Sequence, residues 1–170
     1  MNTRKIALFS LLISFGSVLY IIETFIPFPA PIPGGRWGFS NITILLALQF
    51  CNYKDIIFFS VLKNSIGSLL TGRFATVGYL MGISGLVAAS VFMLFLYRRK
   101  NKFGLISISV TGAALNNFIQ LLIASSLIVK NSNVLVLYPY YLMIGSISAV
   151  ANAFIVVFIY ERTGEEIWKI

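Results

Sequence analysis

Four apolar runs decide what this chain can fold into. Residues 6–26, 77–97, 105–129 and 135–160 are each about the 20 residues that a helix needs to cross the hydrocarbon core of a bilayer. Run 6–26 is too long for the apolar core of a secretory signal and has no small-residue cleavage site after it, so it reads as a first transmembrane helix. The composition agrees: hydrophobic residues make up 58% of the chain and charged residues 11%, with mean hydropathy +0.91. A soluble domain carries about 25% charged residues. The chain is an integral membrane protein, and its length fits one domain, residues 1–170.

Two shorter segments complete the pattern. Residues 38–51 are apolar but short for a span, and residues 55–70 contain Lys63 and Asn64. Turns fall at 52–54, 71–73 and 130–133, and a basic loop at 98–102. The predicted fold is an all-α membrane bundle of six helices. Between the first and second helices lies residues 27–41, with four of the five prolines, three glycines, Arg36 and Trp37. Proline has no N–H to give and glycine has no conformational preference, so this stretch is not regular helix.

Orientation follows from the loops. With six helices, Arg4, Lys5, Lys54, Arg98, Arg99, Lys100, Lys102, Arg162 and Lys169 share one side, and Arg36, Arg73 and Lys130 the other. The lysine and arginine bias of cytoplasmic loops then places both termini in the cytoplasm of a multi-pass cell-membrane protein, with the proline-rich stretch outside. The net charge of +8 is therefore topological and not a nucleic-acid footprint. One cysteine, Cys51, excludes an internal disulfide and any cysteine-based metal site, and the absence of histidine excludes imidazole chemistry.

Lys63 is the most costly residue, about 2.5–3.5 kcal/mol at a helix centre on insertion scales. Either it snorkels or pairs with a distant acid such as Glu23, or it faces a polar cavity; intramembrane ionisable groups default to function. Ser60, Lys63 and Gly67 share one helix face, with Asn64 and Ser68 on the adjoining one. In the fifth helix Gly112, Asn116, Gln120 and Ala124 form a stripe bordered by Asn117. Such amides either bond helices together or line a shared pocket. Glu23 lies one turn before Pro27 and either sits in the interface or pairs with Arg36 or Lys63. Arg36, Lys63 and Arg73 against Glu23 alone would attract an anion. Small residues at four-residue spacing permit close helix approach. On the first helix Ala7, Ser10, Ser14 and Ser17 line one side as a docking face for a partner subunit.

Enzyme signatures are lacking. Asp55 is the only aspartate, so there is no aspartate-rich diphosphate motif, and no P-loop exists. Active transport would need a partner that supplies energy. The chain reads as a non-enzyme without cofactor or metal.

The stretch Pro33-Gly34-Gly35-Arg36-Trp37-Gly38-Phe39-Ser40-Asn41-Ile42 resembles the signature Pro-Gly-x-Lys/Arg-x-Gly-x-Ala/Ser-Asn of the Gx transporter family, also labelled heptaprenyl diphosphate synthase component I. Residues 67–72 and 117–122 look similar too. The family pattern has His where Asn116 stands and commonly Arg where Lys63 stands. The family in turn resembles the substrate-binding S components of energy-coupling-factor (ECF) transporters. That resemblance implies a six-helix protein with an outward pocket closed by the loop after the first helix, a transmembrane coupling subunit docked on that helix, and cytosolic ATPases. On it, Glu23, Arg36, Asn41, Lys63, Asn64, Asn116, Asn117 and Gln120 are the expected substrate-binding residues. The expected substrate is a small anionic organic molecule. The alternatives are a non-catalytic membrane component linked to prenyl diphosphate synthesis, and a membrane partner of a flavin or quinone redox system.

Overall fold

The computed structural model describes residues 3–29, 36–99 and 103–163. Residues 30–35 of the proline-rich stretch, Lys100 and Lys102 of the basic loop, and residues 164–170 with Lys169 lie outside the described residues. The described chain is all-helical: α1 (Thr3–Phe25), α2 (Ile42–Ala47), α3 (Tyr53–Leu70), α4 (Val77–Arg98), α5 (Leu105–Ile123) and α6 (Tyr138–Thr163). A 3₁₀ turn, Phe39–Asn41, leads into α2. A wide π-type turn, Ala124–Val129, and a 3₁₀ stretch, Ser132–Leu137, join α5 to α6.

Four helical stretches, Thr3–Phe25, Val77–Arg98, Leu105–Val129 and Ser132–Thr163, are long and apolar enough to cross a membrane. They coincide with the four long apolar runs. The two shorter segments behave differently. α3 begins at Tyr53, two residues before the expected start, because Asp55 Oδ2 accepts a 3.2 Å hydrogen bond from the Asn52 backbone N–H and caps the first turn. Its 18 residues rise about 27 Å at 1.5 Å per residue. α2 has only six residues, about 9 Å of helix. All six are buried, so α2 faces protein on every side.

Hydrogen bonds at the ends of the bundle fix the helix directions. Lys5 Nζ donates to Asp55 Oδ2 at 2.6 Å, placing the start of α1 beside the start of α3. Arg98 Nη2 donates to Asn52 Oδ1 at 2.8 Å and brings the end of α4 to the same place. At the opposite end Tyr140 Oη donates to the Pro29 carbonyl at 2.6 Å, so α6 starts where α1 finishes. The segment 36–52 therefore runs back along α1 as loop, 3₁₀ turn, α2 and turn. Its apolar residues Ile44, Leu45 and Leu48 form the centre of the core, against Phe59 of α3, Leu94 of α4 and Val156 of α6.

Close approach around α2 depends on glycine. A Cβ built on Gly16 of α1 would lie 2.6 Å from Thr43 Oγ1 and 2.7 Å from Lys63 Cδ. Gly16→Ala is expected to destabilise the fold by about 1–3 kcal/mol, the usual cost of overpacking. Ser10→Ala, at an exposed position on the same helix, is the control. Thermal unfolding of the two variants in detergent compares them directly.

Ala7, Ser10 and Ser14 are exposed on α1. Ser17 is not part of that face. It is buried, and its Oγ donates to the Ile13 carbonyl at 2.8 Å and to the Lys63 carbonyl at 3.3 Å. The side that sequence spacing assigned to all four residues turns inward at Ser17, because α3 packs there.

Candidate functional site

α3 turns Ser60, Lys63, Asn64, Gly67 and Ser68 into the bundle, all of them buried. Lys63 Nζ donates to the Ser40 carbonyl at 2.9 Å, to Asn41 Oδ1 at 3.1 Å and to Ser40 Oγ at 3.4 Å. An ammonium has three N–H bonds, and all three are occupied. Glu23, only 3% exposed, accepts from the Ser40 backbone N–H at 2.6 Å and from Ser40 Oγ at 3.3 Å. One residue of the 3₁₀ turn thus gives its N–H to a carboxylate and its C=O to an ammonium. Bonds to charged groups are roughly twice as strong as neutral ones. Among the described residues Glu23 makes no direct ion pair with Arg36 or Lys63; the one ion pair is Lys5–Asp55. The acid and the cation that the sequence suggested as partners meet through the Ser40 peptide.

α6 holds the other side of the loop. Asn152 Nδ2 donates to the Gly38 carbonyl at 2.9 Å, and Ser148 Oγ donates to the Trp37 carbonyl. Gly38 has φ +88°, a left-handed conformation that glycine adopts without strain, and this turns the chain into the 3₁₀ turn. Trp37 Nε1 donates to the Pro27 carbonyl at 3.2 Å, and the Trp37 ring packs edge-on against Phe28 at 5.9 Å.

Arg36 is placed differently from Lys63. Its guanidinium lies over the Tyr20 ring, 3.8 Å from the centroid, and Nη2 donates a long 3.4 Å bond to Asn64 Oδ1. Nη1 is buried with no hydrogen-bond partner, and so are Asn64 Nδ2 and Asn116 Oδ1. A Cβ on Gly82 would come within 2.9 Å of Arg36 Nη2, so α4 leaves room for the guanidinium by having no side chain there. An unpaired buried donor or acceptor costs about 1–3 kcal/mol. Three of them gathered in one place call for a functional explanation.

These groups line a two-lobed cleft. Tyr20, Glu23, Ser40, Lys63, Asn64 and Gln120 line a polar lobe. Ala89, Met93, Ala113, Asn117 and Ala149 are among the residues lining a second lobe between α4, α5 and α6. Arg36, Gly38, Asn41, Leu86 and Asn116 belong to both and form the neck between them. Each lobe is a narrow cavity of about 30 Å³.

All eight residues expected to bind substrate therefore line the cleft, in unequal roles. Arg36, Asn64 and Asn116 present unpartnered polar atoms. Glu23, Lys63 and Asn41 are engaged with the loop or with each other. Asn117 Nδ2 donates to the Tyr141 carbonyl at 2.9 Å and ties α5 to α6. Arg73 and Lys130 are exposed and do not line the cleft. Sequence reasoning missed Tyr20, Ser40, Ser148 and Asn152. Ser148 and Asn152 are four residues apart on α6, so their shared polar face was readable; their bond to the loop was not.

A family model described as heptaprenyl diphosphate synthase component I matches residues 12–159, from α1 through α6. The chain belongs to that family. No curated protein and no solved structure matches it. The region matched by the heptaprenyl diphosphate synthase component I family includes every residue of the cleft. For this family member, Ser148→Ala removes one bond to the loop. A loss of about 1 kcal/mol is expected from one neutral hydrogen bond, and Trp37 fluorescence during thermal unfolding reads it.

Proposed function

We propose that the chain is the substrate-binding membrane subunit of an ATP-driven importer of ECF type, taking a small anionic organic molecule. The observation that carries this reading is the convergence of Arg36 Nη1, Asn64 Nδ2 and Asn116 Oδ1, all buried and unpartnered, on one cleft. Arg36, Asn64, Asn116 and Gln120 contact the ligand in this reading. Glu23, Lys63 and Asn41 hold the loop that covers it, and Asn117 joins the walls. The cleft is too narrow to admit an organic molecule as it stands, so the loop from Arg36 to Asn41 swings out, releasing Ser148 and Asn152. All six helical segments belong to one domain, residues 1–170. The basic residues at the Lys5 end put both termini in the cytoplasm and the loop outside. The exposed residues Ala7, Ser10 and Ser14 of α1 offer a face for a transmembrane coupling subunit, and cytosolic ATPases complete the machine.

The family description supports a second reading, a membrane component that works with a prenyl diphosphate synthase. A Mg²⁺–diphosphate site needs clustered oxygen ligands. Among the described residues no three carboxylate, His or Cys side chains are grouped to hold a metal ion. Any prenyl transfer would then belong to the partner subunit. Two reconstitutions separate the readings. The importer reading expects the chain to co-purify with a membrane coupling subunit and to give ATP-dependent uptake in vesicles. The synthase reading expects Mg²⁺-dependent prenyl transfer by a soluble synthase to rise when this chain is added. Stimulated prenyl transfer without uptake would reject the importer.

A further inference from the structure

We infer that the ligand of this cleft is an amphipathic monoanion, with one carboxylate-like head on Arg36 and a compact apolar body between α4, α5 and α6. The inference rests on the binding-subunit reading and adds the chemical class of the ligand.

The two lobes differ in what they leave unsatisfied. Six polar side chains occur only in the α4–α6 lobe, and each already donates to a backbone carbonyl. Ser90 Oγ donates to Val87, Ser109 Oγ to Ala149, and Asn117 Nδ2 to Tyr141. Trp37 Nε1 donates to Pro27, Ser148 Oγ to Trp37, and Asn152 Nδ2 to Gly38. Beyond the spare amide groups of Asn117 and Asn152, what remains to meet a ligand is apolar: Ile44, Leu86, Ala89, Met93, Ala113 and Ala149. A second carboxylate placed there would find no cation, since Arg36 at the neck is the one charged side chain lining this lobe, and an unpaired buried charge is strongly disfavoured. At the neck the situation reverses. Arg36 Nη1 and Asn64 Nδ2 are unused donors, and Asn116 Oδ1 is an unused acceptor.

Charge limits the head. Glu23 and Lys63 face Ser40 from either side and balance one another, whether both are ionised or both neutral. With Arg36 the residues lining the cleft then carry one net positive charge. It matches a single negative charge. A diphosphate would bring more negative charge than that one net cation offsets, in a buried setting where uncompensated charge costs most.

Isothermal titration of the purified full chain in lipid nanodiscs tests this with four probes: butyrate, hexanoate, adipate and dimethylallyl diphosphate. Hexanoate and adipate have the same length and differ by one terminal carboxylate. The expected order places hexanoate at least tenfold tighter than butyrate, adipate and the diphosphate. Arg36→Ala lowers hexanoate affinity at least tenfold. Ala113→Leu, which fills the apolar lobe, lowers hexanoate affinity and spares butyrate. Adipate or the diphosphate binding as tightly as hexanoate overturns the inference and leaves an anion-binding subunit standing. Binding of none of the four also overturns it. The importer reading is then decided separately, by whether a ligand co-purifies in an Arg36-dependent manner.

Discussion

Replacing Lys63 with alanine is expected to destabilise the folded chain by about 3–5 kcal/mol, the cost of breaking a buried charged set by removing one member. Lys63 is 1% exposed and spends all three N–H bonds on Ser40 and Asn41. Without it, Asn41 Oδ1 loses its donor, the Ser40 carbonyl keeps only the Thr43 hydroxyl at 3.0 Å, and Glu23 is left as a buried acid with no cation across the Ser40 peptide. The effect is on the ligand-free protein, which separates a loop-holding role from a ligand-contact role. The double variant Glu23→Gln, Lys63→Ala should recover part of the loss, because the acid no longer needs a counter-charge. A coupling of about 0.5–3 kcal/mol is typical of residues in one network. Equilibrium unfolding of the four proteins in mixed micelles measures it. Additive single effects would show that Glu23 and Lys63 do not act through Ser40.

Arg36→Ala is expected to do the opposite. Losing a charge-assisted contact of about 1.5–3 kcal/mol lowers ligand affinity about 10- to 150-fold. Stability should stay within about 1 kcal/mol of the wild type, because two effects of similar size oppose. The variant gives up the contact over Tyr20, about 0.5–2 kcal/mol for a cation on an aromatic face. It also relieves a buried Nη1 that has no partner, worth about 1–3 kcal/mol. Asn64 loses only a 3.4 Å bond. Arg36→Lys keeps the charge but not the planar fork, so its affinity should fall between the two. The contrast between the two cations separates the parts of the cleft: Lys63 holds the loop, and Arg36 is left with a donor to offer.

The long apolar runs were legible because length alone identifies them: α1, α4, α5 and α6 lie where the sequence placed them. α2 was not, because six residues with five apolar side chains look the same in sequence whether they face lipid or protein. Its burial depends on α1, α3 and α6 closing around it. The polar face of α3 was readable from Ser60, Lys63 and Gly67 at helical spacing, and each of them is buried. The partner of Lys63 was not readable, since it is a backbone carbonyl 23 positions earlier that no side-chain pattern announces. Ser17 was misplaced for a related reason. Spacing along α1 gives a face, but only the packing of α3 decides where that face ends. Asn117 shows the limit for amides: of the three in one stretch of α5, it is the one tied to a neighbouring helix.

Arg36 is the ligand's anchor in the proposed binding subunit. Native mass spectrometry of the full chain released from nanodiscs, wild type beside Arg36→Ala, tests this most directly when read with the melting temperature of each. A small-molecule adduct is expected on the wild type, with its loss from Arg36→Ala and closely similar melting of the two ligand-free proteins. An adduct of the same mass and occupancy on both proteins would contradict it.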